Sequence, residues 1–157
     1  MGTWSIHHTS LAISDGDSSL KFYRDGLGLR VVNDVIEQGE RLSRQICLPN
    51  AVNRLIWLAT GEGETLVELL EYKNPRGKPF DLNCADIGSP HISFLVDDIQ
   101  ETYDKLCSMG YKPTTEPLAV DETTQPGAKT VYFYDPDGIV VELFQIADAR
   151  RAEKIFY

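Results

Sequence analysis

A chain of 157 residues is long enough for one compact domain or two fused half-domains, and 42% apolar content with a formal charge of −9 suits a water-soluble globular protein. The negative charge speaks against nucleic acid or an anionic membrane as partner. No apolar run approaches the roughly 18 residues of a bilayer span, no basic-then-apolar leader opens the chain, and the three cysteines (Cys47, Cys84, Cys107) show no CxxC spacing, so a cytoplasmic protein without a disulfide framework or zinc ribbon is expected.

In chain order, Ser5 to Ile13 reads as a strand, with His8, Ser10 and Ala12 on one face and His7, Thr9, Leu11 and Ile13 on the other. Asp15, Asp17 and Ser18 supply helix-start chemistry. Leu20, Tyr23 and Leu27 recur at helical spacing with Phe22 beside them, and Gly26 and Gly28 end that helix. Strands are expected at 30–36, 54–59 and 65–72, with a turn at Gly61-Glu62-Gly63-Glu64 between the last two. Residues 74–90, rich in Pro, Gly, Asn and Asp, read as a linker. His91 to Val96 then opens a second unit. Asp98 starts a helix whose buried stripe is Ile99, Tyr103 and Leu106, and Gly110 ends it. A strand is expected near 111–116, followed by a loop through Gln125-Pro126-Gly127. Residues 129–134 and 139–146 form a hairpin around Asp135-Pro136-Asp137-Gly138, in which Pro presets the backbone and Gly takes the left-handed position. The chain is thus expected to be a single domain, 1–157, of two βαβββ units (5–73 and 91–146) with a charged tail over 147–157.

The two units repeat each other. His8 through Asp15 reappears as His91 through Asp98, each copy running from His to Asp in seven steps. Each unit then closes on Val-Glu-Leu, at Val67-Glu68-Leu69 and at Val141-Glu142-Leu143. A strand sends alternate residues to opposite faces, so paired units place His8, Glu68, His91 and Glu142 around a common trough. Two imidazoles and two carboxylates suit Zn²⁺, Ni²⁺, Co²⁺, Mn²⁺ or Fe²⁺ and leave room for water or substrate. A lone strand His is more often an ordinary surface residue, but four such residues in matched positions point to one divalent ion. His7 competes with His8 but is expected to face away from it. Glu71 competes with Glu68 but lies on the opposite face, and its counterpart in the second unit is Gln145.

On these residues the chain resembles the vicinal oxygen chelate superfamily, also called the glyoxalase/bleomycin resistance/dioxygenase superfamily. The marks are His8 through Asp15, the run from Leu20 to Leu29, Val67-Glu68-Leu69-Leu70, His91 through Asp98, and Asp135-Pro136-Asp137-Gly138 with Val141-Glu142-Leu143 after it. The resemblance implies an α+β fold in which two βαβββ units form an eight-stranded cup-shaped mixed sheet with flanking helices. It implies one divalent metal on His8, Glu68, His91 and Glu142, a small-molecule substrate, and a homodimer. The implied chemistry is that of an isomerase or epimerase: the metal polarises a carbonyl, a carboxylate moves the proton of the neighbouring carbon, and a metal-stabilised enediolate links the two states. Glu142 is the first choice for that base and Glu68 the second.

Departures narrow the substrate. Bacterial glutathione-dependent lyases of this superfamily carry Arg where this chain has Ala12 and Asn where it has Tyr72. Methylmalonyl-type epimerases carry an extra Glu on the strand where this chain reads Arg54-Leu55-Ile56-Trp57-Leu58. The stretch from Leu48 to Val52, with Leu70-Glu71-Tyr72 and Pro75, is similar to stand-alone members acting on polyhydroxy, cyclitol-type ketones. A glyoxalase-type lyase is the first alternative. An extradiol dioxygenase is disfavoured by a fourth ligand at Glu68, and an antibiotic-binding resistance protein by the full ligand set. Trp57, Arg54, Phe94, Lys129 and Tyr132 are candidates for contacting substrate.

Overall fold

The computed structural model describes residues 2–3, 5–61, 65–79 and 84–147. The tail from Asp148 and most of the Gly61–Glu64 turn lie outside them. Contacts divide the chain into two compact units, residues 1–80 and 81–157.

In the first unit, β1 (His8–Ile13), β2 (Arg30–Gln38), β3 (Val52–Ala59) and β4 (Leu66–Asn74) form a mixed sheet in the order β1-β4-β3-β2. β1 runs parallel to β4, and the other pairs are antiparallel. Helix α1 (Gly16–Leu20) begins where Asp15, in extended conformation, accepts a 2.7 Å hydrogen bond from Ser18 N. It continues as a π-helical segment, Lys21–Gly26, in which Leu27 N reaches Phe22 O. The wider turn sends Phe22 and Tyr23 together into the core, while Leu27, expected on the stripe, is only half-buried. One face of the sheet, with Leu11, Ile13, Ile56, Leu58, Val67 and Leu69, packs with Leu20, Phe22 and Tyr23 to make that core. A short helix α2 (Glu40–Gln45) departs from the sequence expectation. Its single anchor, Leu42, is buried among polar neighbours, too faint a pattern for periodicity to reveal.

The second unit repeats the plan. β5 (His91–Leu95), β6 (Leu118–Ala119), β7 (Lys129–Tyr134) and β8 (Val140–Gln145) take the order β5-β8-β7-β6, with β5 parallel to β8. Asp98 caps α3 (Ile99–Ser108) by accepting from Gln100 N and Glu101 N. Ile99 and Leu106 are buried and Tyr103 half-buried, as the stripe predicts. The hairpin turn forms as expected: Gly138 has φ 84°, and the Asp135 carboxylate accepts from Asp137 N and Ile139 N. The strand expected at 111–116 is absent. Pro113 makes one bridge to Phe133, and the short strand comes later, at Leu118–Ala119. Pro113 and Pro117 lack the N–H groups a ladder needs, so regular pairing starts only beyond Pro117.

Both units fasten the helix start in the same way. Gly16 N donates to Glu71 Oε2 at 3.2 Å, and Ile99 N donates to Gln145 Oε1 at 2.9 Å. Glu71 and Gln145 stand three residues after the Glu of each Val-Glu-Leu run, so the position lacking a chemical match in sequence has one in use. Glu71 also pairs with Lys73 and lies 4.0 Å from the Arg54 guanidinium. Replacing Glu71 by Leu leaves the buried N–H unpaired and is expected to cost about 1–3 kcal/mol. Glu71→Gln, which copies the second unit, should cost clearly less; urea unfolding of the two variants gives the comparison.

Candidate metal centre

In each unit the sheet face opposite the helix carries an imidazole on an edge strand and a carboxylate on the adjoining inner strand. In the first, Ser10 on β1 pairs with Glu68 on β4, and His8 stands two residues before Ser10 on the same face. In the second, Ser93 on β5 pairs with Glu142 on β8, and His91 stands two residues before Ser93. The repeat read in sequence is therefore also a repeat in register. His8 Nε2 lies 3.8 Å from Glu68 Oε2, and His91 Nε2 lies 3.4 Å from Glu142 Oε2. The imidazoles are partly open to solvent, whereas both carboxylates are only 12% exposed.

An aromatic residue flanks each pair. Trp57 is cross-strand partner to Glu68, and its ring meets His8 edge-on at 4.9 Å. Tyr132 is cross-strand partner to Glu142, and its ring meets His91 at 5.7 Å. Burial and the neighbouring Glu142 raise the Tyr132 phenol above its ordinary range. The carboxylates differ in how they are held. Thr130 Oγ1 donates to Glu142 Oε1 at 2.6 Å, leaving Oε2 toward His91. Glu68 has no hydrogen-bond partner among the described residues. Thr130 is absent from the sequence-derived candidates, although strand alternation places it on the face of Tyr132.

Three of the expected substrate residues lie on strand faces away from the His–Glu pairs. Arg54 is three residues from Trp57 and so on the helix-side face, where its guanidinium takes both Asp34 oxygens at 2.8 Å and Asp17 at 2.8 Å. It draws the Asp34 carboxyl below its usual range and serves the fold. Phe94 pairs with Leu143 in the core face of the second sheet, away from His91. Lys129 alternates with Thr130 and so shares the face of the buried Val131 and Phe133. Trp57 and Tyr132 do adjoin the His–Glu pairs. His7 also departs from expectation: it precedes β1, where strand alternation does not apply, and its Nδ1 lies 2.8 Å from His8 Nδ1.

The donor chemistry fits a divalent ion. Two donors each about 2.1 Å from one ion are separated by about 3 to 4 Å at ordinary coordination angles, which is the spacing of each pair. Among the described residues no group of three His, Cys, Asp or Glu comes together so as to hold a metal ion, and within each unit the set stops at a pair.

Fold, register and motif order define the class, and comparison with known proteins agrees. The chain belongs to the glyoxalase/bleomycin resistance protein/dioxygenase superfamily, whose family model matches residues 5–143. It is 28% identical over 141 residues to the uncharacterized protein YwkD of Bacillus subtilis, covering 90% of this chain and 96% of that one. It is 31% identical over 144 residues to a probable lactoylglutathione lyase of Synechocystis sp., covering 91% and 96%. The fold matches the crystal structure of a glyoxalase family protein from Bacillus cereus with a TM-score of 0.84 at 18% identity, over 94% of this chain and 97% of that one. Among the described residues no helix is long and apolar enough to cross a membrane.

Proposed function

We propose that the protein is a divalent-metal-dependent isomerase or epimerase that moves a proton on the carbon next to a substrate carbonyl. The observation that carries this reading is the equal placement of His8 with Glu68 and His91 with Glu142, in the same strand register, in both units. Either pair alone is a small donor set. In this reading the four residues hold one ion, which when bound supplies Lewis-acid polarisation of the carbonyl. Glu142 takes the proton as the neighbouring C–H bond breaks and its electron pair moves onto the carbonyl oxygen; Glu142 then returns the proton to the adjoining carbon, or Glu68 supplies one to the opposite face of the same carbon. Thr130 fixes one Glu142 oxygen so that the other keeps its aim. Glu68 is the second carboxylate of the proposed set. Trp57 and Tyr132 supply apolar walls that exclude water.

A neutral polyhydroxy ketone of the cyclitol type fits the surroundings better than an anionic substrate. Arg54 and Lys129 face away, the His91 face of the second sheet carries no Lys or Arg on β5, β7 or β8, and on the His8 face of the first sheet Arg30 stands three strands away from His8, on the far edge strand β2. Ala12, on the His8 face, cannot pair with a glutathione carboxylate. A glyoxalase-type lyase is the second reading, favoured by the likeness to the lyase of Synechocystis sp.. Incubating the metal-replete protein in D₂O with cyclitol ketones, and separately with a glutathione–aldehyde hemithioacetal, separates the two. Carbon-bound deuterium in the ketone supports the isomerase, and turnover of the adduct alone supports the lyase. No exchange and no turnover in either, with metal present, overturns the proposal.

A further inference from the structure

We infer that His7 is a positioning residue for the metal donor His8, fixing which of its ring nitrogens is free to bind an ion. The inference rests on the reading of His8 as a ligand.

The two Nδ1 atoms are 2.8 Å apart, a hydrogen-bond distance, so one ring donates and the other accepts. His8 turns its Nε2 toward Glu68. A neutral imidazole that binds a metal through Nε2 carries its proton on Nδ1. His8 therefore donates from Nδ1, and His7 accepts with its own proton on Nε2. His7 is well placed to keep this role. Its carbonyl accepts from Leu66 N at 3.0 Å, and the preceding Ile6 carbonyl accepts from Thr65 Oγ1 at 3.2 Å. Its ring stands edge-on to Trp57 at 5.8 Å, beside that of His8. The second unit has Pro90 where the first has His7, so the duplicated site is unequal: one imidazole is steered by a neighbouring ring, and the other lacks that neighbour.

The test uses Zn²⁺ and Co²⁺ alone and needs no substrate. His7→Leu removes the acceptor and is expected to weaken binding of both ions by about 10- to 100-fold, the usual effect of losing such a partner. His7→Asn, whose side-chain oxygen can stand where Nδ1 stood, is expected to restore affinity to within about threefold of the parent. The Co²⁺ visible spectrum should shift in His7→Leu and return in His7→Asn. His7 is exposed, and unchanged thermal unfolding midpoints will show that both variants fold. The inference is overturned if His7→Leu binds as tightly as the parent, or if Leu and Asn weaken binding equally. A parent that takes up neither ion overturns the metal reading and this inference with it. A parent that binds while the His7 variants are indifferent overturns this inference alone.

Discussion

Glu142→Gln is expected to lose hydrogen exchange at the carbon beside the carbonyl by about 10²- to 10⁴-fold, the usual contribution of a positioned general base, and to weaken ion binding by much less. The substitution changes charge and basicity but little in shape. Glutamine retains a carbonyl oxygen that can accept from Thr130 and an orientation set by the β7–β8 pairing. Isothermal titration with Zn²⁺, beside exchange into the ketone followed by NMR in D₂O, separates binding from chemistry. A metal-loaded variant that exchanges at the parent rate removes Glu142 from the role of base, and Glu68→Gln is then the variant to compare. Loss of binding and exchange together would mean instead that Glu142 acts chiefly as a ligand.

His8→Ala and His91→Ala should each weaken metal binding by more than about 100-fold, because losing a direct donor costs more than the 10–100-fold typical of an outer partner. Both side chains are partly exposed, at 37% and 51%, so neither truncation opens a core cavity and folding should survive. The loss at His8 should be the larger, because it also forfeits the steering by His7, in whose place the second unit has Pro90. Indifference to one of them in an equilibrium-dialysis measurement would break the four-donor reading, leaving a pair in one unit without its counterpart.

Much of the fold is legible because it is written twice. Asp15 and Asp98 announce both helix starts through capping chemistry, and the Asp135–Gly138 turn announces the last hairpin. The pairs His8–Glu68 and His91–Glu142 are legible because the repeat aligns them, and the register within each unit agrees with that alignment. The features that escape depend on distance rather than pattern. Arg54 resembles an anion-binding side chain, but strand parity, not composition, decides its face, and Asp34 and Asp17 wait there for it. Lys129 and Phe94 fall to the same parity. The expectation for His7 fails because alternation does not extend one residue beyond the strand. Helix α2 and the displacement of β6 past Pro117 depend on tertiary packing and on missing N–H groups over spans too short for periodicity to speak.

The cap on the first helix lies three residues from a proposed metal donor on the same strand, Glu71 on one side of β4 and Glu68 on the other. The second unit has the same arrangement in Gln145 and Glu142. Each helix end and each carboxylate thus hang from a common beam. Whatever tugs the helix away from its sheet also tilts the donor on the far side, so thermal loosening of α1 or α3 and release of the ion should be mechanically yoked.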